Sequence, residues 1–248
     1  DILIPPSVGM VIYGISTQTS IGKLLIAGVV PGIIVAIFLT VAILVWVRVR
    51  PSHAPETYIV SARERWASLR RIWSSLLLIV LVVALLYTGV ATPTEVGALG
   101  AFLAAVIGAA FGRLTWAGAF EAIRQTIKTS ALIFMILIGA TIFGYYMAMS
   151  QIPQQVVAAV TELNLNRWVV ICGIVVAYFV VSMFMDELPL LLLTLQLTFP
   201  LIVSLGFDPV WFGVMSMLMV SMGLVFPPVG MIALVVSANA KVSLTKVY

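Results

Sequence analysis

LIPPSVGM at residues 3–10 and VFPPVGM at residues 225–231 are nearly the same words, more than two hundred residues apart. Each sets two adjacent prolines into an apolar stretch. Proline lacks a backbone donor and its ring clashes with the preceding turn, so a doubled proline interrupts any helix that carries it. The chain breaks two apolar helices in the same way.

The composition names the solvent. Of 248 residues, 62% are hydrophobic and 9% charged, where an ordinary soluble domain carries about 25% charge. A water-soluble fold of this length cannot hide so much apolar surface, so the chain reads as an all-α polytopic membrane protein. The net charge of +4 does not point to nucleic acid, because the basic residues are needed for orientation. The single cysteine, Cys172, reads as a small core residue and excludes an intramolecular disulfide. The chain starts at Asp1 with no visible targeting segment. We therefore expect whatever directs insertion to lie outside these residues or in the first span.

A helix needs about 20 apolar residues to cross the hydrocarbon core. Residues 24–47, 72–90, 96–112 and 130–149 supply such runs. Residues 168–185 and 188–205 are shorter and meet at MDELP. The last run, 210–240, is uncharged and too long for one straight span, with its proline pair near the middle.

Arg48, Arg50, Arg63, Arg65, Arg70 and Arg71 crowd the loop after the first full span. Short loops rich in Lys and Arg stay in the cytoplasm. Following the chain from there puts Arg113, Arg124, Lys128, Lys241 and Lys246 inside too, provided that residues 168–205 enter and leave by one face as a re-entrant helical hairpin. Eleven basic residues are then inside and two, Lys23 and Arg167, outside. In residues 116–128, Trp116, Phe120, Ile123 and Ile127 recur at helical spacing opposite Glu121, Arg124, Gln125 and Lys128. That segment reads as a helix lying in the membrane interface, or else as a connector.

This topology runs the two proline-broken helices in opposite directions, as an inverted-repeat transporter with broken helices requires. The chain then reads as a single membrane transport domain, 1–248. The end of the first repeat takes 1–47, a cytoplasmic loop 48–71, and the second, inverted repeat 72–248, including the interfacial helix 116–128 and the hairpin 168–205. Non-helical backbone cannot face lipid, because each unpaired amide or carbonyl costs several kcal/mol there. Free carbonyls at an unwound proline pair suit Na⁺, and a half-helix N-terminus suits an anion. The plain alternative is a proline kink. At the hairpin tip, Asp186 either caps the second hairpin helix or supports an ion site, and Glu187 reads as a first-turn capping acid. Ser182 and the carbonyls of Met183, Phe184 and Met185 are the better candidates for direct contact.

Five stretches carry a family resemblance: ILIPPSVGMVIYGISTQTSIGKLLIAGVVPGI, TPTEVGALGAFLAAVIG, FMDELPLLLLTLQLTFPLI, GFDPVWFGVMSMLMVSMGLVFPPVGM and SANAKVSL. In order and spacing the chain resembles the large membrane subunit of TRAP transporters, the DctM type. The resemblance implies the second half of that subunit plus the end of the first, with another hairpin before Asp1 and a final helix after Tyr248. It further implies a secondary transporter of the bacterial inner membrane, driven by Na⁺ as coupling ion and without other cofactor. A periplasmic binding protein would load it with an organic acid, such as a C4-dicarboxylate, sugar acid or keto acid. A small membrane subunit, separate or fused, would be its partner.

Carried over by the resemblance, one Na⁺ site uses Ser182, Met183, Phe184, Met185 and Asp186 with Gly223, Val225 and Phe226. The other uses Ile4 and Pro5 with a hairpin outside this chain. Ser7, Ser182, Pro227 and Pro228 are the substrate-contact candidates. The family often has threonine before the second proline pair, where Phe226 stands here, so that site would rely on carbonyls or on Ser221.

Other classes fit less well. An aspartyl protease needs two membrane acids that share a proton, and only Asp186 with its neighbour Glu187 is available. The one histidine, His53, lies in the Arg-rich loop, away from any H-E-x-x-H or Ser–His arrangement. A channel also uses re-entrant loops, but paired inverted breaks are what alternating access needs. Another Na⁺-coupled anion carrier is the nearest alternative.

Overall fold

The computed structural model of the chain describes residues 7–51, 61–240 and 242–243, and only the backbone at positions 62, 65, 67 and 69–71. Ten α-helices are found among these residues: α1 (Val8–Thr17), α2 (Ile21–Val49), α3 (Ala62–Thr88), α4 (Pro93–Ala110), α5 (Trp116–Ser150), α6 (Ile152–Glu162), α7 (Arg167–Ser182), α8 (Glu187–Ser204), α9 (Pro209–Gly223) and α10 (Met231–Ala240). The described residues contain no strand. By length and composition α2, α4, α5 and α8 are long and apolar enough to cross a membrane. The all-α polytopic reading holds.

Two expectations need correction. The stretch 48–71 is not all loop: α2 runs to Val49 and α3 starts at Ala62. A capping box explains the early start, with the Ser61 side chain accepting from the Glu64 amide and the Glu64 side chain accepting from the Ser61 amide. The segment 116–128 is not a separate helix but the opening turns of α5, which is continuous over 35 residues. Helix α6 occupies a stretch between two apolar runs to which the sequence reading gives no element.

The chain divides into two compact units, Asp1–Gly28 with Arg124–Tyr248, and Val29–Ile123. In the second unit α3 packs on α4. Their connection is short because Gly89 ends α3 in the left-handed region and Thr92 starts α4 with a second capping box to Glu95, Pro93 taking the first turn.

In the first unit, buried Tyr13 fixes the order of the helices. Its hydroxyl donates to the Pro209 carbonyl at 2.7 Å. Its ring lies 6.4 Å from Phe199 of α8 and 6.5 Å from Phe212 of α9. Gly9 meets Met217, while Gly213 meets Tyr13, so α1 runs antiparallel to α9. The opposed direction expected of the two proline-broken helices is present.

Helices α7 and α8 form an antiparallel pair. The Tyr178 hydroxyl lies 2.7 Å from the Thr194 hydroxyl and 2.9 Å from that of Thr198. At the open end of the pair the Trp168 and Phe207 rings meet edge-on at 5.2 Å, and Arg167 sits over both rings at 5.5 Å. This end is the hairpin mouth, and residues 183–186 are the tip.

Candidate functional site

Three helix ends of the first unit converge. Helix α7 stops at Ser182 and α9 at Gly223, and these residues touch: a Cβ on Gly223 would collide with the Ser182 hydroxyl and come 2.7 Å from the Phe179 carbonyl. The Ser182 hydroxyl donates to the Phe179 carbonyl at 2.8 Å and lies 3.4 Å from the Met219 carbonyl. Phe226 packs edge-on against Phe179 at 5.2 Å. The third end is the start of α1, whose Gly9 faces the Glu187 carboxylate. A hairpin tip, a proline-interrupted helix end and the opening of a helix that follows another proline pair therefore meet at one end of the bundle.

The backbone there is only partly satisfied. At the tip, the Met183, Phe184 and Met185 amides bond back to the Val180 and Val181 carbonyls, and the Asp186 carbonyl accepts from Leu190. The carbonyls of Met183, Phe184 and Met185 accept no hydrogen bond among the described residues. Between α9 and α10, the Gly223 carbonyl accepts from Phe226 and the Leu224 carbonyl from Ile232. Gly223 thus contributes close approach rather than a free oxygen. The carbonyls of Val225 and Phe226 accept no hydrogen bond among the described residues. Pro227 and Pro228, joined by a cis peptide bond, lie in the same irregular segment.

The two tip acids divide the work. Asp186 is the N-cap of α8, its side chain accepting from the Glu187 amide at 2.9 Å. Glu187 occupies the first turn, as its sequence position promised, but its buried Oε1 has no hydrogen-bond partner among the described residues. It lies against the first turn of α1, where the positive end of that helix compensates a negative group. Its neighbour there is Gly9, which leaves room for it. Sequence reasoning missed this contact, because residues 9 and 187 are distant in the chain and a first-turn acid reads as a cap for its own helix.

Other candidates are placed less centrally. Ser7 is the buried N-cap of α1, accepting from the Met10 amide at 3.3 Å. The Ser221 hydroxyl donates to the Leu218 carbonyl within its own helix. Ile4 and Pro5 lie outside the described residues, as do His53, Lys241 and Lys246. Towards the mouth, a cavity of about 400 Å³ separates the end of α1 from α5 and α8, lined by Ser16, Thr141, Tyr145 and Gln196. No group of three or more His, Cys, Asp or Glu that could hold a metal occurs among the described residues. Oxygen chemistry here rests on backbone carbonyls, the hard-ligand type that suits alkali and alkaline-earth cations.

Comparison with known proteins adds the lineage. The family described as "Tripartite ATP-independent periplasmic transporter, DctM component" matches residues 2–248. The chain is 34% identical to the C4-dicarboxylate TRAP transporter large permease protein DctM of Pseudomonas aeruginosa, over 96% of the chain and 55% of that protein. It is 35% identical to the sialic acid TRAP transporter large permease protein SiaM of Vibrio cholerae, over 95% of the chain and 55% of that protein. It is also 32% identical to the isethionate TRAP transporter permease protein DctMQ of Oleidesulfovibrio alaskensis, over 97% of the chain and 38% of that protein. The chain spans about half the length of the first two relatives. With a match along almost its whole length, the chain belongs to the DctM family of TRAP transporter components.

Proposed function

We propose that this chain forms the second repeat, and the end of the first, of the large permease subunit of a Na⁺-coupled TRAP transporter in the bacterial inner membrane. The transporter takes up an organic acid delivered by a periplasmic binding protein and works with a small membrane subunit, separate or fused. One observation carries the reading: among the described residues, three consecutive tip carbonyls, Met183 to Met185, and two break carbonyls, Val225 and Phe226, have no donor where α7 and α9 meet. Unpaired carbonyls at membrane depth are costly unless something binds them.

Na⁺ held there would bridge hairpin and broken helix, with Asp186 as a nearby negative charge. Ser182 and the Pro227–Pro228 segment lie beside the same site, where substrate contact is assigned. The start of α1 at Ser7, following Ile4 and Pro5, would serve the second site. Relatives named for C4-dicarboxylate, sialic acid and isethionate support an anionic substrate class without choosing within it.

The test is uptake of a radiolabelled candidate acid by the full-length permease, reconstituted with its small subunit and binding protein. The expected result is uptake that needs both an inward Na⁺ gradient and the binding protein. Uptake indifferent to Na⁺ overturns the coupling, and single-channel currents without saturation favour a pore.

A further inference from the structure

Helix α3 is longer than its membrane task. Its apolar part, Ile72–Thr88, is one of the shorter apolar helices and falls in a run that the sequence offers as a span, yet the helix begins ten residues earlier at Ala62. At 1.5 Å per residue these extra turns project about 15 Å beyond the apolar part, far enough to pass through a headgroup layer.

The projection carries a pattern. Positions 63, 66, 70 and 73 follow one another at spacings of three, four and three, so Arg63, Trp66, Arg70 and Trp73 share one face of the helix. Trp66 is 73% exposed and Trp73 51% exposed, about 10 Å apart along the axis. Glu64, the one acid of this segment, does not neutralise the stripe. It sits a third of a turn away, and its carboxylate accepts from the Ser61 amide at 2.9 Å and the Ser61 hydroxyl at 3.0 Å. Those bonds hold its pKa below the usual carboxylate range, so it stays bound to its cap. The outgoing end of α2 repeats the pairing, with the Arg50 guanidinium 5.2 Å over the Trp46 ring.

We propose that the Arg63–Trp66–Arg70–Trp73 stripe of α3 is a binding surface for anionic phospholipid headgroups. Charge complementarity selects the occupant. Guanidinium forks match phosphate oxygens in a bidentate way, and indole rings settle at the headgroup level of a bilayer. Two arginines on one face near an anionic surface each contribute roughly 1 kcal/mol of attraction. A water-filled cytoplasmic loop needs neither tryptophan, and a protein-binding helix face needs no such alternation with arginine.

The test uses the full-length permease in vesicles of phosphatidylcholine with a minor fraction of phosphatidylglycerol. Electron spin resonance with spin-labelled phosphatidylglycerol and spin-labelled phosphatidylcholine gives the ratio of their association constants with the protein. We expect a ratio of at least about three in favour of phosphatidylglycerol, reduced by 0.5 M NaCl. The Arg63→Gln/Arg70→Gln protein should bring the ratio close to one. Its unchanged association with phosphatidylcholine shows that it is folded and inserted, and Arg63→Lys/Arg70→Lys should retain part of the preference. A ratio near one in the parent protein, or a preference that survives the double Gln change, overturns the proposal.

Discussion

The turn at residues 183–186 and the gap at residues 224–230 interrupt helices of the same unit, yet they are held open by different means. The first is a closed turn: three amides bond back to α7, and Asp186 restarts the chain as an N-cap. At the second, the Leu224, Val225 and Phe226 amides likewise bond back to α9 and the Ile232 amide to the Leu224 carbonyl, but among the described residues no side-chain cap opens α10. This gap keeps its place through contacts with its neighbour, Gly223 under Ser182 and Phe226 against Phe179. Both breaks keep local backbone bonds, but one restarts its helix on a side-chain cap and the other relies on packing instead. Mutations should therefore act locally at the tip and at a distance at the gap.

The largest effect should fall on the packed break. In Gly223→Ala the new methyl meets the Phe179 carbonyl and the Ser182 side chain. Overpacking of this kind costs about 1–3 kcal/mol, and backbone oxygen cannot move aside as a side chain can. Thermal unfolding in detergent should show the loss and uptake should vanish. Adding Ser182→Ala should restore only part of it, because the Phe179 carbonyl remains. Full rescue would place the whole contact on the hydroxyl.

Next comes the capped break. Asparagine caps helices about as well as aspartate, so Asp186→Asn separates charge from capping. Stability should stay within about 0.5 kcal/mol, while the Na⁺ concentration for half-maximal uptake should rise about ten-fold, or 1.4 kcal/mol of ion binding. An unchanged Na⁺ dependence would leave Asp186 as a cap only. Ser182→Ala should shift the same quantity less, two- to three-fold, or roughly 0.5 kcal/mol, since the tip carbonyls remain.

A smaller effect lies where α1 meets the tip. A methyl on Gly9 meets the Glu187 carboxylate and the end of Met217, both flexible groups that can retreat. Gly9→Ala should cost about 1 kcal/mol, and Glu187→Ala should relieve most of it in a double-mutant cycle read by thermal unfolding. Additive losses would mean that Glu187 does not press on α1.

The smallest effect belongs to the second unit. Ser61→Ala removes the capping box, so amide exchange at Arg63 and Glu64 should quicken while uptake is unchanged. The Glu64 pKa is held down by its bonds to Ser61, so its contribution is present above the ordinary glutamate range and is lost as pH falls below it. In the parent protein the protection of these amides, exchange taken against the intrinsic rate at each pH, should therefore fall on acidification, and in Ser61→Ala that pH dependence should flatten.

Much of this architecture was legible because a bilayer makes length and hydropathy decisive, and because doubled prolines cannot hide in a helix. The tip falls at residues 183–186, just before and into the MDELP junction of the two apolar runs, and α9 ends at Gly223, a turn ahead of the proline pair expected to break it. What failed had weak local signals. Helix α6 is short, and Gln154 and Gln155 dilute its apolar face. The arginines at positions 63–71 read as loop, although Arg, Ala and Glu are good helix formers and Ser61 with Glu64 is a start signal. The site was legible as a list of residues and not as a geometry. That Gly223 lies under Ser182, and that Glu187 rather than Asp186 carries a buried carboxylate oxygen, depends on contacts between residues far apart in the chain.

The aromatic mouth of the hairpin has an optical consequence. The chain has six tryptophans, and Trp46, Trp66, Trp73 and Trp116 fall within the second unit, Val29–Ile123. The first unit keeps Trp168, in contact with Arg167 and Phe207, and Trp211, stacked on Phe207 at 5.3 Å. Replacing the other four by phenylalanine would leave a protein whose intrinsic fluorescence comes from the mouth alone. Any spreading of α7 from α8 would part Trp168 from Phe207 and change its emission, so the protein carries its own reporter of hairpin motion without an attached dye.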